Sequence, residues 1–284
     1  MKRALVASLV LAAGCAGNTM QSAPSRQSPV VQATALPPGG ASAQARLAAS
    51  PRHGEWVMVK TGPADSVRAW LVYPERKDKA PVVVVIHEIF GLSNWVRSVA
   101  DQLAADGFIA IAPDLLTRFN LPNSAAGEPN PDSVRARIRE LQPAQYQPQV
   151  RKVAEYAMSL PAAAKKYGVV GYCWGGGAVY AHAVFYPDVS AVASYYGTTP
   201  MPADLGKVKA PVLGLYGEND ERVNATIARA DSAARANHTV YEPHVFPGAG
   251  HGFLRAQDGQ SGANLAATKQ AWPLTVGWFR TYLK

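Results

Sequence analysis

Cysteine is almost absent from this sequence. Cys15 and Cys173 are the two among 284 residues, so one intrachain disulfide is the most the chain could form, and a zinc module built on several thiolates is excluded. Charge is scarce too: Asp, Glu, Lys and Arg make up 17%, against about 25% in ordinary globular domains. With 48% hydrophobic residues, that scarcity excludes wholesale disorder and points to a sizeable core. No apolar run reaches the roughly 20 residues of a membrane-spanning helix. Gly (24) and Pro (22) are plentiful but follow no G-X-Y period, which excludes a collagen-like chain and implies many turns. Acidic residues are missing before Glu55. Residues 1–50 hold Lys2, Arg3, Arg26 and Arg46, leaving 24 Lys and Arg against 20 Asp and Glu in 51–284. Half of the +8 net charge is therefore an N-terminal effect. The other basic residues are scattered rather than gathered in a stripe, so a nucleic-acid partner is not expected.

The N-terminus reads as an address. Lys2 and Arg3 form a positive start, and the apolar stretch 4–13 is too short to span a bilayer, the pattern of a secretory signal peptide. The segment Leu11-Ala12-Ala13-Gly14-Cys15 resembles the bacterial lipoprotein signal, in which the cysteine is acylated and becomes the new N-terminus. An ordinary cleaved signal peptide is the alternative. In 16–50 there is no aromatic residue, and 25 of the 35 positions are Ala, Ser, Gln, Pro or Gly, a composition that cannot bury enough surface to offset its ordering entropy. The expectation is a signal at 1–15, a flexible tether at 16–50 and one folded domain at 51–284, exported to the periplasm or cell envelope, touching a membrane only through a lipid on Cys15.

Alternation opens the folded part. Short β-rich runs at 56–59 and 67–73, separated by Gly62-Pro63-Ala64-Asp65, suggest an antiparallel pair. The run Val82-Val83-Val84-Val85-Ile86 is apolar at every position, which suits a strand covered on both faces. Helical spacing follows over 94–105 (Trp95, Val99, Leu103), then a buried strand over 108–112. The alternation continues with a helix near 149–160, a strand at 169–172, a helix over 175–185, strands at 189–195 and 212–216, a helix near 225–236, a strand at 239–246 and a closing helix after Asn264. This order predicts an α/β fold with a doubly wound, mainly parallel sheet clad by helices on both faces, its site beyond the carboxyl ends of the strands. The stretch 119–147, rich in Pro and Asn, reads as loop where a pocket wall would form.

Chemistry concentrates at Gly171-Tyr172-Cys173-Trp174-Gly175-Gly176, where a strand turns into a helix. Small residues two before and two after Cys173 permit the strained turn of a nucleophile elbow, here with cysteine in place of serine, and the helix N-terminus favours a thiolate. Such a nucleophile needs an acid and then a histidine, each after a later strand. Asp220 follows the strand ending at Tyr216, with Glu218 and Glu221 as rivals, and His251 follows the strand ending at Phe246, flanked by Gly250 and Gly252. His182, inside the helix after the elbow, reads as a packing or surface residue.

Over nearly all of 56–284 the chain resembles the dienelactone hydrolase family of the α/β-hydrolase fold. His87-Glu88-Ile89-Phe90-Gly91 is similar to the family's first-strand loop, Pro113-Asp114-Leu115-Leu116-Thr117-Arg118 to a segment ending in a substrate-binding arginine, Gly171 to Gly176 to its elbow, and Gly250-His251-Gly252-Phe253-Leu254-Arg255 to its histidine loop, again closing on an arginine. The resemblance implies a hydrolase of a small lactone or ester acting through Cys173, His251 and Asp220. In it Glu88 contacts the resting cysteine, holding it un-ionised by like-charge repulsion or taking its proton. Arg118 and Arg255 would bind a substrate carboxylate, and the backbone N–H groups of Ile89 and Trp174 would hold the oxyanion. Neither metal nor organic cofactor is implied, and a monomer is expected. The alternatives are an esterase or acyl-transfer enzyme of other substrate range, and an inactive envelope lipoprotein.

Overall fold

In the computed structural model, which describes Met1, 35–123 and 128–284, the all-apolar run becomes strand β3 (Ala80–Ile86), fully enclosed. Its side chains alternate between two cores. Val83 and Val85 join one with helices α2 (Asn94–Ala105) and α9 (Ala263–Tyr282), while Val82, Val84 and Ile86 join the other with α4 (Pro143–Ser159) and α5 (Trp174–Phe185). The period of two that places alternate residues on opposite faces thus builds both layers from one sequence run.

Eight strands form a single sheet in the order β1-β2-β4-β3-β5-β6-β7-β8. The edge strand β1 (Gly54–Lys60) pairs antiparallel with β2 (Ser66–Val72), and β2 pairs antiparallel with β4 (Ile109–Pro113). From β4 through β3, β5 (Ala163–Tyr172), β6 (Ala191–Tyr195) and β7 (Val212–Asn219) to β8 (Tyr241–Gly250) every pairing is parallel. Since β3 lies between β4 and β5, the order reverses there, and a crevice opens beyond the carboxyl ends of β3 and β5.

Two expectations are corrected. Composition predicts a tether through residue 50, yet 35–50 is folded onto the domain: Trp95 Nε1 donates to Pro38 O (3.1 Å), Gln257 Nε2 to Pro37 O (2.9 Å) and Gly40 N to Arg255 O (2.8 Å). The short helix α1 (Ala43–Ala48) lies against α2 with Ala43 buried, so the described domain starts near residue 35. Docking onto a formed surface supplies the partners that composition alone lacked. The stretch 119–147 is also not simply loop, because α3 (Pro131–Ile138) lies in it and α4 starts at Pro143. The signal segment, with Cys15, lies outside the described residues.

Candidate active site

The turn from β5 into α5 forces Cys173 to φ 56°, ψ −113°, a conformation that side chains rarely adopt and that costs about 1–3 kcal/mol. Its neighbours explain the glycines around it. A Cβ on Gly171 would stand 2.1 Å from Gly175 O, and one on Gly175 would stand 2.4 Å from Ile86 O, so backbone fills the space that any side chain would need. The Cys173 N–H donates to Tyr195 O (3.0 Å), anchoring the elbow to β6.

Partly buried, the Cys173 thiol is pushed up to about 11, first by desolvation and then by the charge of Glu88. The backbone N–H groups of Trp174 and Ile89, and the charge of Arg222, act on it in the opposite direction. Both expected oxyanion donors therefore face the sulfur. Ile89 owes its place to the turn after β3, where His87 is fully buried, its Nδ1 2.8 Å from Glu88 O and its ring stacked on Trp174 at 5.6 Å. Burial lowers the His87 pKa, so it is neutral, with Nδ1–H as donor.

Glu88 is 3% exposed, and desolvation raises its carboxyl to about 7 against the smaller opposing effect of Arg255. Arg255 Nε stands 3.5 Å from Glu88 Oε2, close enough for an ion pair but without a hydrogen bond on either atom. The guanidinium instead lies over the Phe90 ring, 4.5 Å from its centroid.

His251 follows β8, and its Nδ1 lies 2.5 Å from Asp220 Oδ2. Asp220 is itself 7% exposed. The rival acids are otherwise engaged or exposed: Glu218 Oε2 accepts from Gly248 N (2.8 Å), and Glu221 points to solvent. The Tyr196 ring meets the His251 ring edge-on at 5.1 Å. His182 is a packing residue, its Nδ1 2.7 Å from Gln147 Oε1 and its Nε2 3.0 Å from Tyr167 OH; burial drives its pKa down to about 3.

A cavity of about 780 Å³ opens at Cys173, walled by Ile89, Tyr146, Trp174, Tyr196, the outer face of α5 and the segment after β6. Neither Arg118 nor Arg255 lines it. Arg118 is exposed, bonded to Gln145 (3.3 Å) and stacked on Phe119, so the expected two-arginine clamp is not assembled around the thiol. Two residues that sequence reasoning missed do line it. Tyr196 is fully buried at φ 39° just past β6, and Arg222 sits on a short helix, Glu221–Asn224, with no ion pair among the described residues. Arg222 stands two positions after Asp220, and that adjacency was its available signal. No group of three His, Cys, Asp or Glu is placed to hold a metal ion among the described residues.

The model of the dienelactone hydrolase family matches residues 67–283. A Salmonella typhimurium protein named "Putative carboxymethylenebutenolidase" is 31% identical over 230 residues, covering 77% of this chain and 84% of its own. A Klebsiella pneumoniae structure titled "Putative Dienelactone Hydrolase" superposes with a TM-score of 0.70 at 25% identity, covering 81% of this chain and 99% of its own. A dienelactone hydrolase structure from Anabaena variabilis superposes at 0.61 and 24% identity over 82% of this chain and 99% of its own, a likeness of fold.

Proposed function

Because this chain belongs to the dienelactone hydrolase family, we propose that it hydrolyses carboxylic esters or lactones through Cys173, His251 and Asp220, by way of a thioester. The observation that carries the reading is Cys173 on its strained elbow, faced by the Ile89 and Trp174 N–H groups, with His251 held by Asp220 at 2.5 Å in the next loops of the sheet.

In the acylation step Asp220 accepts from Nδ1–H, which leaves Nε2 of His251 free to accept a proton. The thiol proton passes to Nε2 as Sγ bonds to the carbonyl carbon, and the carbonyl oxygen becomes an oxyanion held by the two N–H groups. When the carbon–oxygen bond to the leaving group breaks, that oxygen takes the proton from Nε2. Water then gives a proton to Nε2 as its oxygen attacks the thioester, and the departing sulfur takes that proton back, releasing the acid. In the resting protein the thiol bonds to no part of His251 and is kept protonated first by burial and then by the charge of Glu88. Sγ must therefore turn toward His251 as substrate enters. We further propose export to the cell envelope from residues 1–15, with Cys15 as lipid acceptor; mass spectrometry of the mature N-terminus from the native envelope checks this by finding an acylated Cys15 or another first residue.

The direct test is hydrolysis of a panel of lactones and activated esters by the wild type and by Cys173→Ala. The variant is expected to lose at least a thousandfold in kcat/KM. Retention of more than a tenth of wild-type turnover contradicts the assignment.

A further inference from the structure

The cavity does not end at the thiol. From Cys173 it runs along the outer face of α5 past Gly177, Ala181, Val184 and Phe185, with Pro200 and Met201 on the opposite bank. Those α5 positions recur at helical spacing and form one stripe. The helix carries no Asp, Glu, Lys or Arg anywhere between Trp174 and Phe185, and its other faces are buried in the core. At the far end Phe185 and Met201 are 45% and 65% exposed, two large apolar side chains left in water where the trough opens. Charge appears only at its edges, where Lys207 pairs with Asp204 at 2.9 Å and Arg222 stands near the thiol.

We infer that this trough receives the acyl chain of the substrate, an extended apolar chain of about ten to twelve carbons, and so makes the protein a hydrolase of medium-chain acyl esters. The inference rests on the cysteine-hydrolase reading above and adds the substrate class. Direction decides which half of the ester lies there. The leaving oxygen must be protonated by His251, which is not a wall of the trough, so the alcohol departs on the His251 side and the acyl group extends the other way, along α5. Length sets the chain: Trp174 to Phe185 spans roughly 16 Å of helix, and a zigzag of roughly 1.5 Å bonds advances roughly 1.25 Å per carbon, enough for about twelve carbons. Each methylene laid against the wall can raise kcat/KM by up to about fourfold.

The test measures kcat/KM for 4-nitrophenyl acetate, butanoate, octanoate and dodecanoate, and for ethyl octanoate against octyl acetate, which place the same chain on opposite sides of the ester. The wild type should prefer octanoate to acetate at least tenfold and ethyl octanoate to octyl acetate. Ala181→Trp, which blocks the stripe midway, should lower the octanoate-to-acetate ratio at least tenfold. Phe185→Glu should leave the butanoate-to-acetate ratio near its wild-type value and lower that of dodecanoate. Each ratio is taken within one protein, so a partly misfolded fraction cancels. As a readout without turnover, octanamide should bind Cys173→Ala more tightly than acetamide, and Ala181→Trp added to that protein should weaken it. Cys173-dependent hydrolysis with a flat chain-length profile, or a ratio unmoved by Ala181→Trp, overturns the trough while leaving the cysteine hydrolase standing; a preference for octyl acetate overturns the acyl assignment. Hydrolysis that survives in Cys173→Ala overturns the catalytic reading itself.

Discussion

Glu88 is a carboxyl with almost no water around it and no hydrogen bond on Oε2, facing one arginine at 3.5 Å. Its folded-state value of about 7, above the ordinary 4.5, means that the folded protein holds this proton more tightly than the unfolded chain does. Stability from the proton is thus full below about pH 4.5 and is lost as pH rises to about 7, a penalty of up to about 3 kcal/mol above that. Replacing the carboxyl with a neutral amide of the same shape removes the penalty. Urea unfolding should find Glu88→Gln close to wild type at pH 4 and more stable by about 1–3 kcal/mol at pH 8; equal stability at both pH values would contradict the buried charge. The same substitution removes a negative neighbour from the thiol, so the pH midpoint for alkylation of Cys173 by iodoacetamide should fall from its starting value near 11. A midpoint unchanged or higher in Glu88→Gln would show that Glu88 does not act on the sulfur. The site was legible at this scale where chemistry and chain position coincide, as at Cys173, Asp220 and His251. It was not legible where burial decides, as at Tyr196, whose ring meets Tyr172 from β5 and His251 and Phe253 from beyond β8.

Among the elements, the elbow is the tightest piece of construction, since β5, α5 and the end of β3 share one volume. Gly171→Ala would place a methyl 2.1 Å from Gly175 O and 2.9 Å from the Val179 side chain, and backbone cannot yield as a flexible side chain can. We expect a loss of about 3 kcal/mol or more and no measurable activity; circular dichroism melts check the first, ester hydrolysis the second, and a variant with wild-type melting would refute the packing argument. The same close approach made the elbow readable, because the glycines that it needs stand in the sequence. Helix α4 was less readable. A helix was expected near 149–160, whereas α4 starts at Pro143 and carries Pro148 in its second turn. Burial of Tyr146, Gln147 and Val150 outweighs the lost hydrogen bond, a balance visible only in the packed structure. The helix expected near 225–236 is present at Ile227–Ala236, but a separate short helix before it, Glu221–Asn224, was not foreseen, and it carries Arg222 to the cavity.

For the whole molecule, the residue classes announced the α/β sheet because uninterrupted apolar strands alternate with amphipathic helices, but the N-terminal limit of the domain was invisible. Segment 35–50 is poor in apolar bulk and folds only because Trp95, Gln257 and the Arg255 loop offer it partners. Protein beginning at residue 51 should melt roughly 6–12 °C below protein beginning at residue 35, from about 3 kcal/mol of lost hydrogen bonds and burial. Equal melting temperatures would mean that the segment contributes nothing. The arginines teach the same lesson: Arg118 and Arg255 sit in segments after strand ends, as the sequence indicated, yet neither lines the cavity along α5. Everything proposed for the chemistry depends on one covalent bond, and it can be weighed. After brief reaction with an activated 4-nitrophenyl ester and an acid quench, the peptide carrying Cys173 should gain the mass of the acyl group, and neutral hydroxylamine should remove it as it removes a thioester. Acyl mass on any other residue, or turnover of the ester with Cys173 never acylated, would contradict the account.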